Sequence, residues 1–137
     1  MIFKTTTEKP ITITLDVDGT EHEIKFYPTD LRTRETFYET YEQVKAYKPN
    51  DITPTTDENG VSDIELQNAR ELRRFTEFLA ERVDEIYGAG TADIITDGRC
   101  VPHALIAFIC ETARYFAAAS DKLIRKYTAA DESGVME

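Results

Sequence analysis

Cysteine is scarce in this chain of 137 residues, with Cys100 and Cys110 alone. Two thiols are too few for a disulfide framework, and their spacing is not that of a zinc site. Histidine is equally rare: His22 and His103 are the only imidazoles. Positive charge is also short. Lys and Arg total 16 against 26 Asp and Glu, a formal charge of -10, and no Lys/Arg run occurs. Nucleic-acid binding depends on cations that neutralise phosphates, so no nucleic-acid partner is expected. An anionic membrane surface is disfavoured for the same reason. Long apolar runs are missing as well: the longest, Cys100 to Cys110, is about half a bilayer span. The opening Met1-Ile-Phe-Lys-Thr-Thr-Thr-Glu8 lacks the charged-then-apolar pattern of a signal peptide. These absences together lead us to expect a cytoplasmic protein with no membrane partner. There is no internal repeat.

What is present suits one α+β domain, mainly helical, over residues 1–128, with a flexible tail over 129–137. Apolar residues make up 41% of the chain, enough to build a core, and the 31% that are charged solvate its surface. Ile11, Ile13, Leu15 and Val17 alternate with Thr12, Thr14 and Asp16, the two-residue period of a half-buried strand. Asp18-Gly19 then supplies the residue types that a type I′ turn requires. With that pair as the loop, Val17 faces Thr20, Leu15 faces His22, Ile13 faces Ile24 and Ile11 faces Phe26. The apolar members share one face, while Asp16, Glu21, Glu23 and Lys25 share the other. A lone hairpin is marginal in water, so the antiparallel hairpin 11–26 must lie on something.

That support is a bundle of about three helices. Pro28 stops the second strand, and Thr29 or Asp30 can cap a helix over about 30–47, with Leu31, Phe37, Tyr38, Tyr41 and Val44 as its apolar stripe. Residues 48–62 carry Pro, Thr, Asn and Asp with almost no apolar content and read as a mobile loop. Ser62-Asp-Ile-Glu65 reads as a capping box opening a helix over 63–87. Its core face is Leu72, Phe75, Leu79, Val83 and Ile86. Gly88-Ala-Gly90 ends this helix, Thr91 to Ile95 forms a short turn of helix, and Asp97-Gly98 breaks the chain again. Pro102 suits the first turn of a last helix over 102–127.

Three motifs suggest chemistry. Leu15-Asp-Val-Asp-Gly-Thr20 matches the nucleophile motif of haloacid-dehalogenase-type phosphatases, in which two aspartates serve Mg²⁺ and phosphate. Here it runs straight into a second alternating strand, and the strand–helix alternation of a parallel sheet is missing. A hairpin turn is therefore the better reading. Asp57-Glu-Asn-Gly60-Val-Ser-Asp63 resembles part of a calcium loop, but aligning Gly60 with the sixth loop position puts Thr55 first and Leu66 last, where Asp and Glu are needed. Cys100 and His103 are close in sequence, yet no third group to orient them is apparent. Cys110, inside an apolar helical run, reads as a small buried hydrophobe. No catalytic residue, metal site or cofactor is expected.

The last helix is more informative. Leu105, Ile109, Phe116, Leu123 and Tyr127 form one face, flanked by Ile106, Ala113 and Ile124. A second stripe, Phe108, Tyr115 and Ala119, lies about 80° or more around the axis. So broad an apolar arc fits a helix sandwiched between the hairpin and the other helices. That is the better reading; a stripe that docks a partner or a second copy of the chain as a homo-oligomer is the other, and the two are compatible.

The order of elements carries a resemblance. The hairpin on Leu15 to Phe26 is followed by a helix, then by Asp84-Glu-Ile-Tyr-Gly-Ala-Gly-Thr-Ala-Asp-Ile-Ile95 and a final helix. This resembles the small tail-assembly chaperones of long-tailed bacteriophages and prophages of Gram-positive bacteria. The likeness spans most of the chain and centres on Tyr87 to Thr91. It implies a non-enzymatic protein in the cytoplasm of the bacterial host that keeps the tape-measure protein soluble and helps recruit tail-tube subunits. A structural part of the tail, such as a tail completion protein, is the alternative.

Overall fold

A computed structural model describes residues 1–5, 8–48 and 54–135, with side chains as far as Leu123. Strands β1 (Ile11–Val17) and β2 (Thr20–Phe26) pair antiparallel in the register that the alternation implies, from Val17 opposite Thr20 to Ile11 opposite Phe26. Asp18 and Gly19 take φ angles of 50° and 87°, the left-handed pair that lets a two-residue loop follow the twist of its strands. Asp16 steadies the bend, its carboxylate accepting from the Gly19 N–H at 2.9 Å. The side chains of Ile24 and Phe26 are buried, and those of Ile11, Ile13 and Leu15 pack at the core's edge.

Helix α1 (Leu31–Ala46) is capped by Asp30, whose side chain accepts from the backbone N–H groups of Arg32 and Thr33 at 3.0 and 3.1 Å. Two otherwise orphaned donors are satisfied there, so Asp30→Ala is expected to cost about 1 kcal/mol in urea unfolding. Phe37 is buried, and Tyr41 and Val44 are half-buried. Leu31, by contrast, faces solvent and Tyr38 is partly exposed, narrowing the expected stripe. Leu31 sits in the first turn, where side chains lean toward the helix start and past the core. Arg34 compensates by donating to the carbonyls of Pro28 (2.9 Å) and Phe116 (3.1 Å), with Ser120 a further partner.

Of the segment expected to be a mobile loop, residues 49–53 lie outside the described residues. Residues 54–63 form a hydrogen-bonded turn. Thr56 bridges Ser62, and Asp57 accepts from the N–H groups of Asn59 and Val61, both at 2.9 Å. This turn also removes the expected capping box. Helix α2 (Glu65–Tyr87) starts after Ile64 with no side-chain cap: the Ser62 hydroxyl accepts from the Ile64 N–H at 3.3 Å, the Glu65 N–H goes to the Ser62 carbonyl at 3.2 Å, and Asp63 turns back to accept from the Thr55 N–H at 3.0 Å. The buried part of α2 begins at Thr76 and continues through Leu79, Val83, Ile86 and Tyr87. Phe75 stacks on Tyr47, and Leu72 is partly exposed.

Gly90, at φ 87°, starts the short helix α3 (Thr91–Thr96) in a conformation that a side chain would strain. Asp84 accepts from the Ala92 N–H at 2.9 Å and so ties α3 to α2. Helix α4 (Pro102–Val135) runs past the expected end at 127 and through most of the expected flexible tail. Ala129-Ala130 are strong helix formers, and no glycine follows until Gly134. The side chains of Ile124 and Tyr127 and residues 136–137 lie outside the described residues.

The fold is α+β and mainly helical, a two-stranded hairpin packed on helices. One core draws on every layer: Phe26 from β2, Phe37 from α1, Leu79 and Val83 from α2, Ala92 from α3, and Leu105, Ile109 and Phe116 from α4. At its centre Phe116 stacks on Phe37 at 4.0 Å and on Phe26 at 5.7 Å, and Phe26 meets Tyr87 edge-on at 5.0 Å. The hairpin rests on α2 and α3 as well as on α4, with β2 beside α2 and β1 beside α3, so α4 is not sandwiched between the hairpin and the other helices as its broad apolar arc suggested. Among the described residues, no helix is long and apolar enough to cross a membrane.

Candidate functional site

The acidic motifs serve the backbone. Asp16 is bonded within the hairpin bend and Asp57 within the following loop, and the two lie on separate elements. No group of three or more His, Cys, Asp or Glu side chains converges among the described residues. Asp63 is held below the usual carboxylate range, first by the Thr55 hydroxyl and then by the Thr55 N–H, which suits its role in closing the turn. Both cysteines are exposed, so Cys110 is not the buried hydrophobe its surroundings in sequence suggested. It lies on the face of α4 opposite the Leu105–Phe116 stripe, where neither the hairpin nor another helix covers it.

A buried polar pair joins α2 to α4. The Tyr87 phenol, 2% exposed, hydrogen-bonds the Thr112 hydroxyl, which in turn donates to the Ile109 carbonyl at 3.1 Å. Burial raises the phenol's pKa well above its ordinary value of 10.0, only partly offset by Thr112. The folded state therefore holds this proton more tightly than the unfolded chain does. The linked stability is complete below about pH 10 and is lost as pH climbs toward the folded value. Alkaline titration of Tyr87→Phe should show a smaller loss of stability above pH 10 than the parent, read by circular dichroism.

The three residues singled out on α4 come together along one seam. β1 runs antiparallel to α4. Its Leu15–Val17 end stands over Ala104, Ala107 and Phe108, and its Ile11 end over Tyr115 and Ala119. The lengths match: six strand steps cover roughly 20 Å, and the helix from Ala104 to Ala118 covers roughly 21 Å. Two hollows open along the seam. One, of about 390 Å³, is lined by Leu15, Val17, Ile95, Ala104, Ala107 and Phe108, with Asp16 and Glu111 at its rim. The other, of about 370 Å³, is lined by Ile11, Pro28, Tyr115, Ala118, Ala119 and Leu123, with Glu8, Lys9, Thr29 and Lys122 around it.

Phe108 and Tyr115 are half-buried, each with one face on the core. Phe108 meets Tyr87 at 4.7 Å and Tyr115 meets Phe26 at 6.0 Å, both edge-on. Ala119 is buried at the wall of the second hollow. The stripe is therefore both a support for the hairpin and the floor of an open groove. Sequence reasoning missed the other wall, Leu15, Val17 and Ile95, and the small residues Ala104, Ala107 and Ala118. The β1 alternation marked Leu15 and Val17 as inward-facing, but no sequence signal says along which helix an inward face lies.

No protein-family model matches this chain, and neither does any curated protein or solved structure compared with it.

Proposed function

We propose that this protein acts by binding other proteins along the β1–α4 seam, without catalysis, as a tail-assembly chaperone that holds the tape-measure protein and helps recruit tail-tube subunits. The observation that carries the reading is the pair of apolar hollows flanking half-buried Phe108 and Tyr115. Aromatic side chains at the centre of a groove with charges at its rim are the usual anatomy of a protein interface. The net charge of -10 favours solubility when an apolar client is held. The order of elements and the Tyr87–Thr91 segment support the assembly role through their resemblance to that class.

Co-expression with the tape-measure protein of the same genome tests the reading. The chain is expected to raise the soluble yield of that protein, to co-purify with it and to be missing from finished particles. A chain found stoichiometrically in finished particles would instead be a tail component. No gain in tape-measure solubility would exclude the chaperone role.

A further inference from the structure

We infer that the free edge of β1 is a template for a third strand, and that the seam takes an extended segment, basic at one end and acidic at the other, added antiparallel to β1. The inference rests on the protein-binding reading above and names the chemistry of the client segment.

Among the described residues, β1 has one strand neighbour, β2. A two-residue loop closes on a hydrogen-bonded pair, so Val17, Leu15, Ile13 and Ile11 exchange bonds with β2. The N–H and C=O groups of Thr12, Thr14 and Asp16 then point to the other side, and no backbone partner meets them among the described residues. Open edges are ordinarily blunted by lysine, proline, a bulge or short length. β1 is seven residues long, holds neither lysine nor proline and pairs without a bulge; its one charge, Asp16, sits next to the bend and accepts from the Gly19 N–H, leaving Ile11 to Leu15 without a charged residue.

The side chains of the added strand have somewhere to go. The two hollows lie at Ile11 and at Leu15–Val17, four to six positions apart. Even spacing puts both anchors on the same face of a strand. The rim charges set polarity. Asp16 and Glu111 stand at the hairpin-bend end, where Arg114 leans on Glu111 from 3.4 Å. Lys9 and Lys122 stand at the other end with Glu8, which accepts from the Thr29 hydroxyl and keeps its charge, so that end carries a net positive charge. A client strand therefore places its cation beside Asp16 and Glu111 and its carboxylate beside Lys9 and Lys122. For antiparallel addition the cation comes first in the client's sequence.

The test uses the whole protein and two labelled peptides, Lys-Thr-Val-Thr-Ile-Thr-Val-Thr-Glu and the same peptide with Lys and Glu exchanged. The Lys-first peptide is expected to bind about fivefold more tightly, the yield of two exposed ion pairs, and the preference should fade in high salt. N-methylation of the alternate amides that face β1 should weaken it about tenfold, whereas methylation of the other set should not. Thr14→Pro should give the same loss, because the Thr14 N–H takes no part in pairing with β2 and edge strands tolerate proline. The peptide arm keeps the test valid if that variant folds poorly. Equal binding of both peptides with no dependence on which amides are methylated would overturn the inference. So would failure of either to bind while Phe108-dependent binding of the tape-measure protein persists. In that last case the protein-binding reading survives and the strand template does not.

Discussion

Phe26→Ala is expected to destabilise the protein by about 3–5 kcal/mol, the usual cost of emptying a fully buried aromatic site. Phe26 is 1% exposed and touches three rings on two helices, Tyr87, Tyr115 and Phe116. It is the main anchor of β2 on α2 and α4, and a hairpin without such an anchor is barely stable in water. A domain of this size has roughly 5–15 kcal/mol in total, so the loss takes a large share. The midpoint of urea unfolding reads the effect. Amide exchange should also quicken in β1 and β2 more than in the buried half of α2, because the hairpin loses its anchor while Leu79 and Val83 keep theirs. A change below about 1 kcal/mol would mean that the hairpin is held by something other than this ring.

On the proposed reading, Ala107→Arg weakens binding of a tape-measure client by at least about a hundredfold, since a guanidinium in the floor of an apolar groove must be desolvated or must block the docking segment. Ala107 is exposed and lines the hollow beside Phe108. The substitution sits on the solvent side of α4, so stability should stay within about 0.5 kcal/mol of the parent. Titration of the purified variant with its partner, alongside urea unfolding, separates the two effects. Full binding by a stable Ala107→Arg variant would move the client off the seam.

Much of this architecture is legible from local rules. The hairpin and its register follow because the two-residue period and the Asp18-Gly19 pair independently demand the same arrangement. Asp30 marks a helix start and Gly88-Ala-Gly90 a helix end through chemistry that needs no distant partner. The misreadings have a common origin. Ser62 fits a capping box by composition, but the bridge to Thr56 sets the backbone so that the Ser62 hydroxyl meets the Ile64 N–H and the Glu65 N–H goes to the Ser62 carbonyl. Cys110 lies in an apolar run, yet which arc of α4 is covered depends on where the hairpin lands. The seam was half legible for the same reason. Phe108, Tyr115 and Ala119 stood out by helical spacing, whereas their partners across the groove come from β1 and α3, and only the packing brings these together.

The central proposal, that a protein client lies along β1 and α4, is tested most directly by NMR of the labelled chain titrated with the proposed client, the tape-measure protein of the same genome. The expected result is that amide shifts and loss of exchange concentrate at Thr12, Thr14 and Asp16 and along α4 from Ala104 to Lys122, with the α2 segment from Leu66 to Arg74 unchanged. Saturable binding that perturbs the α2 segment and leaves β1 untouched would contradict it.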